Sequence, residues 1–191
     1  MHRKIPLALL LTAAATALAQ PAEPAPPAMP APAATPDPAM IAARGPSLAL
    51  ALEAAQTAVQ LCKRLGAHVA VSVVDSAGVL KLLLAADGAF PKAVTSSTAK
   101  AITAKELNMP ISEISHQMKT DAALAARISA NPRYVVGQGG LPLRVGDQVI
   151  GAIGVGGAIG NRAQNELYPV VPGVDEQCAR AAVAKIQKRL R

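Results

Sequence analysis

The sequence predicts an α+β domain, a central five-stranded antiparallel sheet with the first and last helices packed on one face and additional helices between the strand pairs. Three observations carry that expectation. Residues 67–84 and 139–157 each alternate apolar and other side chains around a tight turn, the pattern of a hairpin. Segments with helical spacing open the domain, close it and fill the space between the hairpins. The second hairpin, GGLPLRVGDQVIGAIGVGG, places Gly151, Gly154, Gly156 and Gly157 in and after its returning strand, where glycine weakens a strand unless another backbone or a flat ligand must come close.

Taken in order, the 191 residues begin with a short basic run, Met1-His2-Arg3-Lys4, followed by an apolar stretch and a small-x-small site at Ala17-Leu18-Ala19. Residues 1–19 thus read as a cleaved secretory signal peptide, the apolar run being shorter than the ~20 residues of a spanning helix. No later segment is apolar and long enough to span a membrane. Residues 20–46 are an Ala/Pro-rich linker without the means to bury a core, leaving 47–191 as the domain. Without the leader, 17 basic residues stand against 12 acidic ones, a surplus suited to anionic small molecules. The basic residues are scattered and Phe90, Tyr134 and Tyr168 are the only aromatics, which argues against nucleic acid as a partner.

Ser47 is positioned to cap a helix reaching about Leu65, with Leu48, Leu52, Ala55, Val59 and Cys62 along one face. Residues 67–75 alternate as a strand with Val69, Val71 and Val73 on one side, and a turn at 75–78 leads to a second strand from Val79 to Leu84. Residues 92–107 read as helix, broken at Asn108-Met109-Pro110. A further helical stretch runs from about Glu113 to Ser129, with an interruption near Asp121 and a stop at Asn131-Pro132. Residues 133–138 are expected to form the fifth strand, 158–173 a loop, and Asp175 to cap a final helix with a basic end.

The usual catalytic signatures are missing from this chain. It has no Cys-x-x-Cys, His-Glu-x-x-His or Gly-x-Ser-x-Gly, and its glycines do not fit Gly-x-Gly-x-x-Gly. Glu113 and His116 form one Glu-x-x-His pair, but a di-metal bundle needs a second copy and further carboxylates. A solvated helix face is the simpler account of His116, as a partly buried or interface position is of His68. Met109 and Tyr168 could ligate iron by their chemistry, while core filler and loop anchor are the plainer roles. Lys100 and Thr103 lie three apart on the middle helix among alanines, so one surface presents both an ammonium and a hydroxyl. That pair suits an anionic ligand, and a solvated lysine beside a back-bonded threonine fits equally well.

Taken together, VVDSAG (73–78), DGAFP before a helix with Lys100-Ala101-x-Thr103-Ala104, GGLPL (139–143), VIGAIGVGG (149–157) and Asp175-x-x-Cys178-Ala179 resemble the GlcG/HbpS family. That family includes extracellular haem-binding proteins and is related to the C-terminal domain of PduO-type corrinoid adenosyltransferases. The resemblance implies a small α+β domain, homo-oligomers, haem binding in some members, and haem-sensing or haem-degrading roles for secreted ones. Gly156 stands where the family often has Ser, and the loop 158–173 is longer than usual. On this resemblance the chain is expected to be a periplasmic or secreted haem or tetrapyrrole binder, with Lys100, Thr103, Gly139, Gly140 and His116 as cofactor-binding residues and the metal ligand unassigned. A cofactor-free oligomeric accessory or signalling protein, with a protein partner at a membrane, is the alternative, and a haem-degrading enzyme the weaker one. The resemblance also places the first and last helices side by side, so Cys62 and Cys178 either form a disulfide or remain two small buried hydrophobes.

Overall fold

The computed structural model of the protein describes residues 43–158 and 173–191. The expected leader, the linker up to residue 42, and residues 159–172 of the expected loop lie outside the described residues. Helix α1 is Leu48–Arg64, followed by strands β1, Ala70–Asp75, and β2, Leu80–Ala85. Helices α2, Pro91–Leu107, α3, Ile111–Gln117, and α4, Ala122–Ala130, come next. Strands β3, Gly140–Val145, and β4, Gln148–Gly156, precede α5, Val174–Ile186, which runs into a 3-10 turn at Gln187–Arg189.

Among the described residues the sheet has four strands in the order β2-β1-β4-β3, every pairing antiparallel, so the α+β class stands and the five-strand expectation is corrected. The missing strand is residues 133–138. Its β-branched run looks extended, but a strand needs its amides for a ladder, and here they are taken elsewhere. The Val135 amide donates to Thr103 Oγ1 at 3.0 Å and the Gly137 amide to Ser115 Oγ at 2.8 Å. The Arg133 amide donates to Asn131 Oδ1 at 3.0 Å, an Asx turn that curls the chain after Pro132.

Local signals account for the helix ends. The Ser47 hydroxyl accepts the Leu50 amide at 3.3 Å, and Asn108 closes α2 in the left-handed region at φ 55°. Asp121, where an interruption was expected, caps α4 by accepting the Leu124 amide at 2.9 Å. The face that α1 buries is rotated from the expected one. Ala55 and Cys62 are buried as expected and Val59 partly so, but Leu48 and Leu52 are 61% and 39% exposed, and Ala51, Ala54 and Ala58 turn inward in their place. The reason is the neighbour: α5 presents Cys178, Ala179 and Ala182, and two small-residue faces let the helix axes approach more closely than leucines would. Cys62 and Cys178 are joined as a disulfide between these two helices, with Cα atoms 5.8 Å apart and both side chains fully buried.

The α1–α5 layer covers one face of the sheet, over Val71, Val73, Leu143, Ile150, Ile153 and Val155. On the other face lies α2, held to β1 by a buried Ser72 hydroxyl 2.8 Å from both Ser97 Oγ and Thr98 Oγ1. Two glycines of β4 serve this contact, while Gly151 lies against the Val74 carbonyl of β1. A Cβ at Gly154 would meet the Ser97 carbonyl and come within 2.6 Å of the Ala101 amide, and one at Gly156 would meet Ser96 Oγ. Of the two partners that the glycine spacing leaves open, a backbone or a flat ligand, the backbone of α2 fills the place. Gly154→Ala is therefore expected to push α2 off the sheet and lower the unfolding free energy by about 1–3 kcal/mol in chemical denaturation. An unchanged midpoint would show that the helix can shift at no cost.

Candidate functional site

Four of the five residues singled out in the sequence meet along the seam between α2 and the start of β3. Lys100 Nζ donates to Asp175 Oδ2 at 2.6 Å and to the Val155 carbonyl at 2.9 Å, with Lys100 7% and Asp175 1% exposed. The other Asp175 oxygen accepts the Ala158 amide at 2.9 Å. Asp175 thus lies inside α5 as an internal counter-ion, and Gly173, at φ 88°, takes the capping position expected of Asp175. Gly139 allows the chain past this node, because a Cβ there would sit 2.7 Å from that of Asp175, and a Cβ on Gly140 would sit 2.5 Å from the Lys100 carbonyl. Thr103 donates to the Ala99 carbonyl at 2.8 Å while accepting the Val135 amide. The polar groups of Lys100 and Thr103 are engaged by the chain itself.

His116 lies apart from this seam, exposed on α3 together with Glu113. Among the described residues no group of three or more His, Cys, Asp and Glu is arranged to hold a metal ion. Met109 packs against the smaller core cluster under α2, and Tyr168 lies outside the described residues. His68 is exposed, with Nδ1 2.6 Å from the Asp87 carbonyl. No described helix is long and apolar enough to cross a membrane.

An open depression of about 480 Å³ lies on the other side of the Thr103 contact, within the size range of small-molecule sites. Met118 at the end of α3, Ile128 of α4, Pro132, Val135 and Val136 make its apolar wall, and Tyr134 supplies an aromatic ring with a phenol. The sequence builds it by stopping α4 at Asn131-Pro132 and fastening the following segment to two helices, through Thr103 of α2 and Ser115 of α3. Thr103, singled out as a direct ligand contact, therefore holds the wall of this depression through Val135. The Tyr134 phenol is hydrogen-bonded to Glu106, which raises its pKa above the usual tyrosine value, with burial adding to the rise and the charges of Arg127 and Arg133 opposing it. Arg133 also pairs with Glu106 at 3.2 Å. Sequence reasoning counted Tyr134 only as one of few aromatics; the available signal was its place straight after a helix-stopping Asn-Pro, beside an arginine.

A four-stranded antiparallel sheet backed by α2 through glycine contacts on one face and by α1 and α5 on the other defines a small α+β class of domain. The chain belongs to the HbpS-like family: residues 47–184 match the family model described as "Haem degrading protein HbpS-like". The HbpS double mutant of Streptomyces reticuli, a solved structure, is 31% identical with a TM-score of 0.64, over 83% of this chain and 98% of that one. A 15.0 kDa protein from the dhaT-dhaS intergenic region of Citrobacter freundii is 34% identical over 112 residues, 58% of this chain and 79% of that protein. The PduOC–haem complex, at 24% identity and a TM-score of 0.62, over 73% of this chain and 94% of that one, shares the fold.

Proposed function

We propose that this chain is an exported protein that binds haem non-covalently in the depression at Tyr134, with a haem-sensing or storage role. The observation that carries the reading is the depression itself, in a chain of the HbpS-like family. Haem is a flat apolar ring carrying two carboxylates and an iron, so its site needs an apolar wall, cations at the rim and a donor atom. Met118, Ile128, Val135 and Val136 supply the wall and Tyr134 an aromatic ring, while the charges of Arg127 and Arg133 act on the Tyr134 phenol beside it. When bound, the group would supply a redox-active iron. Lys100, Thr103, Gly139 and Gly140 then serve as the frame behind the site, and His116, two residues before Met118, is a competing ligand. Export is supported by the pattern of residues 1–19 and by the Cys62–Cys178 bond, since structural disulfides persist in oxidising compartments.

A second reading, a cofactor-free accessory protein acting through self-association, is favoured by one observation. Leu80 and Leu83 on the edge strand β2, and Val79 beside it, are exposed. One experiment separates the two. The full chain is expressed with export, weighed intact, sedimented and titrated with haemin. The haem reading expects a mature chain starting at Gln20 and a saturable Soret shift at one haemin per chain. A retained leader would overturn the export, and an unsaturable titration on a species larger than a monomer would favour the second reading. Appearance of an opened tetrapyrrole under reductant would extend the function to degradation.

A further inference from the structure

We infer that the end of the domain carrying both hairpin turns is a membrane-docking face, which seats on a lipid surface rich in anionic phospholipid headgroups, independently of any haem. The basic residues are scattered in the sequence, and the fold gathers many of them at this end. The sheet puts the turns after β1 and after β3 side by side, since Asp75 lies opposite Gly151 and Val145 opposite Gln148. Helix α1 starts here, because the Arg44 amide donates to Ser76 Oγ at 2.8 Å and the Ser76 amide to the Arg44 carbonyl at 2.8 Å. Helix α5 ends here, because Gln187 Nε2 donates to the Arg144 carbonyl at 2.9 Å. Arg44, Arg144 and Lys81, which lies beside Gly45, therefore share one end of the molecule with the basic tail of α5.

Few of these charges are cancelled. Glu53 is shared between Arg189 at 2.7 Å and Lys185 at 3.8 Å, while Lys188 and Arg191 are exposed and form no ion pair among the described residues. Arg44 donates to Gln148 Oε1, and Arg144 to the Asn108 and Asp147 carbonyls, all neutral acceptors. The same end exposes large apolar side chains, Leu48 and Leu52 on α1 and Val79 and Leu80 where β2 begins. Glu53 turns toward the end of α5, so Leu48 and Leu52, about 140° and 100° away round the helix, face the β2 side, where Val79 and Leu80 stand. Cations beside exposed leucines suit a lipid interface, where phosphates take the charges and the apolar tips enter the headgroup layer. A second copy of the chain is the poorer occupant, because a two-fold pairing of this end would set its cations against themselves.

The test is flotation of the intact mature chain with vesicles of mixed phosphatidylglycerol and phosphatidylcholine, and with vesicles of phosphatidylcholine alone, at low and high salt. The anionic vesicles are expected to bind about tenfold or more tightly than the neutral ones, with the difference shrinking as salt rises. Lys188→Ala/Arg191→Ala and Leu48→Ser/Leu80→Ser are each expected to weaken that binding about tenfold. Lys63→Ala/Arg64→Ala, at the other end of α1, is expected to keep most of it. Amide exchange in the wild-type chain, which depends on no variant folding, is expected to slow at 76–81 and 187–191 when anionic vesicles are added. Equal binding to both vesicle types, or equal losses in all three variants, would overturn the inference. Binding to soluble heparin without binding to vesicles would assign the face to a dissolved polyanion. Protection of the same amides by self-association, without vesicle binding, would assign it to a second copy, and either result would likewise overturn the inference.

Discussion

Reducing the Cys62–Cys178 bond is expected to lower the unfolding free energy by about 5 kcal/mol, the chain-entropy value for the long loop it closes. The sequence separation of 116 residues spans all four strands, so the reduced denatured chain regains freedom over most of the domain. Domains of this size are stable by only about 5–15 kcal/mol, so the loss takes a large share of the total. Denaturation of the mature chain with and without reductant measures it, and Cys62→Ala/Cys178→Ala separates the cross-link from other effects of the reductant. Thiol counting in denaturant without reductant is expected to find none. Two free thiols per chain, or a midpoint indifferent to reductant, would refute the bond.

Lys100→Met is the second large effect, with an expected loss of about 3–5 kcal/mol, because it leaves the Asp175 carboxylate buried at 1% exposure without its counter-ion. The expected rescue is Lys100→Met/Asp175→Asn. Asparagine removes the charge yet keeps an oxygen for the Ala158 amide, so most of the stability should return. A double-mutant cycle by chemical denaturation measures the coupling, and additive losses would show that the pair acts as two separate groups. The cycle also clarifies any haemin titration of Lys100 variants. Its ammonium is bonded to Asp175 and the Val155 carbonyl, so removing it disturbs the frame before it can alter a charge offered to propionates.

How far the fold could be read from the residues depended on how local the determining contact is. Ser47, Asn108 and Asp121 end or begin helices through bonds within a few residues, and the glycine spacing of β4 announced a close approach. The segment 133–138 misled because Tyr134-Val135-Val136 has the composition of a strand, while the groups that occupy its amides, Thr103 and Ser115, stand 32 and 22 positions away from their partners. Lys100 was noticed for its spacing to Thr103, but its partner, Asp175, is 75 residues later and pattern alone suggested a helix cap there. Tyr134 was passed over for a similar reason: its significance comes from Glu106 and Arg127, which only the folded chain brings beside it.

The docking of α2 on β4 has one more consequence, which concerns conformational entropy. The contact is made by Ala93, Ser97 and Ala101 against glycines and backbone, so assembling it immobilises few multi-rotamer side chains. Glycine and alanine lose essentially no rotamer freedom on burial, whereas a large flexible side chain gives up as much as ~2 kcal/mol. Alanines meeting across α1 and α5 extend the same economy to the opposite face. A chain with one Phe, two Tyr and no Trp has little aromatic surface to remove from water, and its bulky core side chains are aliphatic, among them Leu143, Ile150, Ile153 and Ile186. These interfaces have little side-chain disorder to lose, although their glycines give up more backbone freedom than other residues, and dispersion between closely approaching backbones adds to the aliphatic packing of the core.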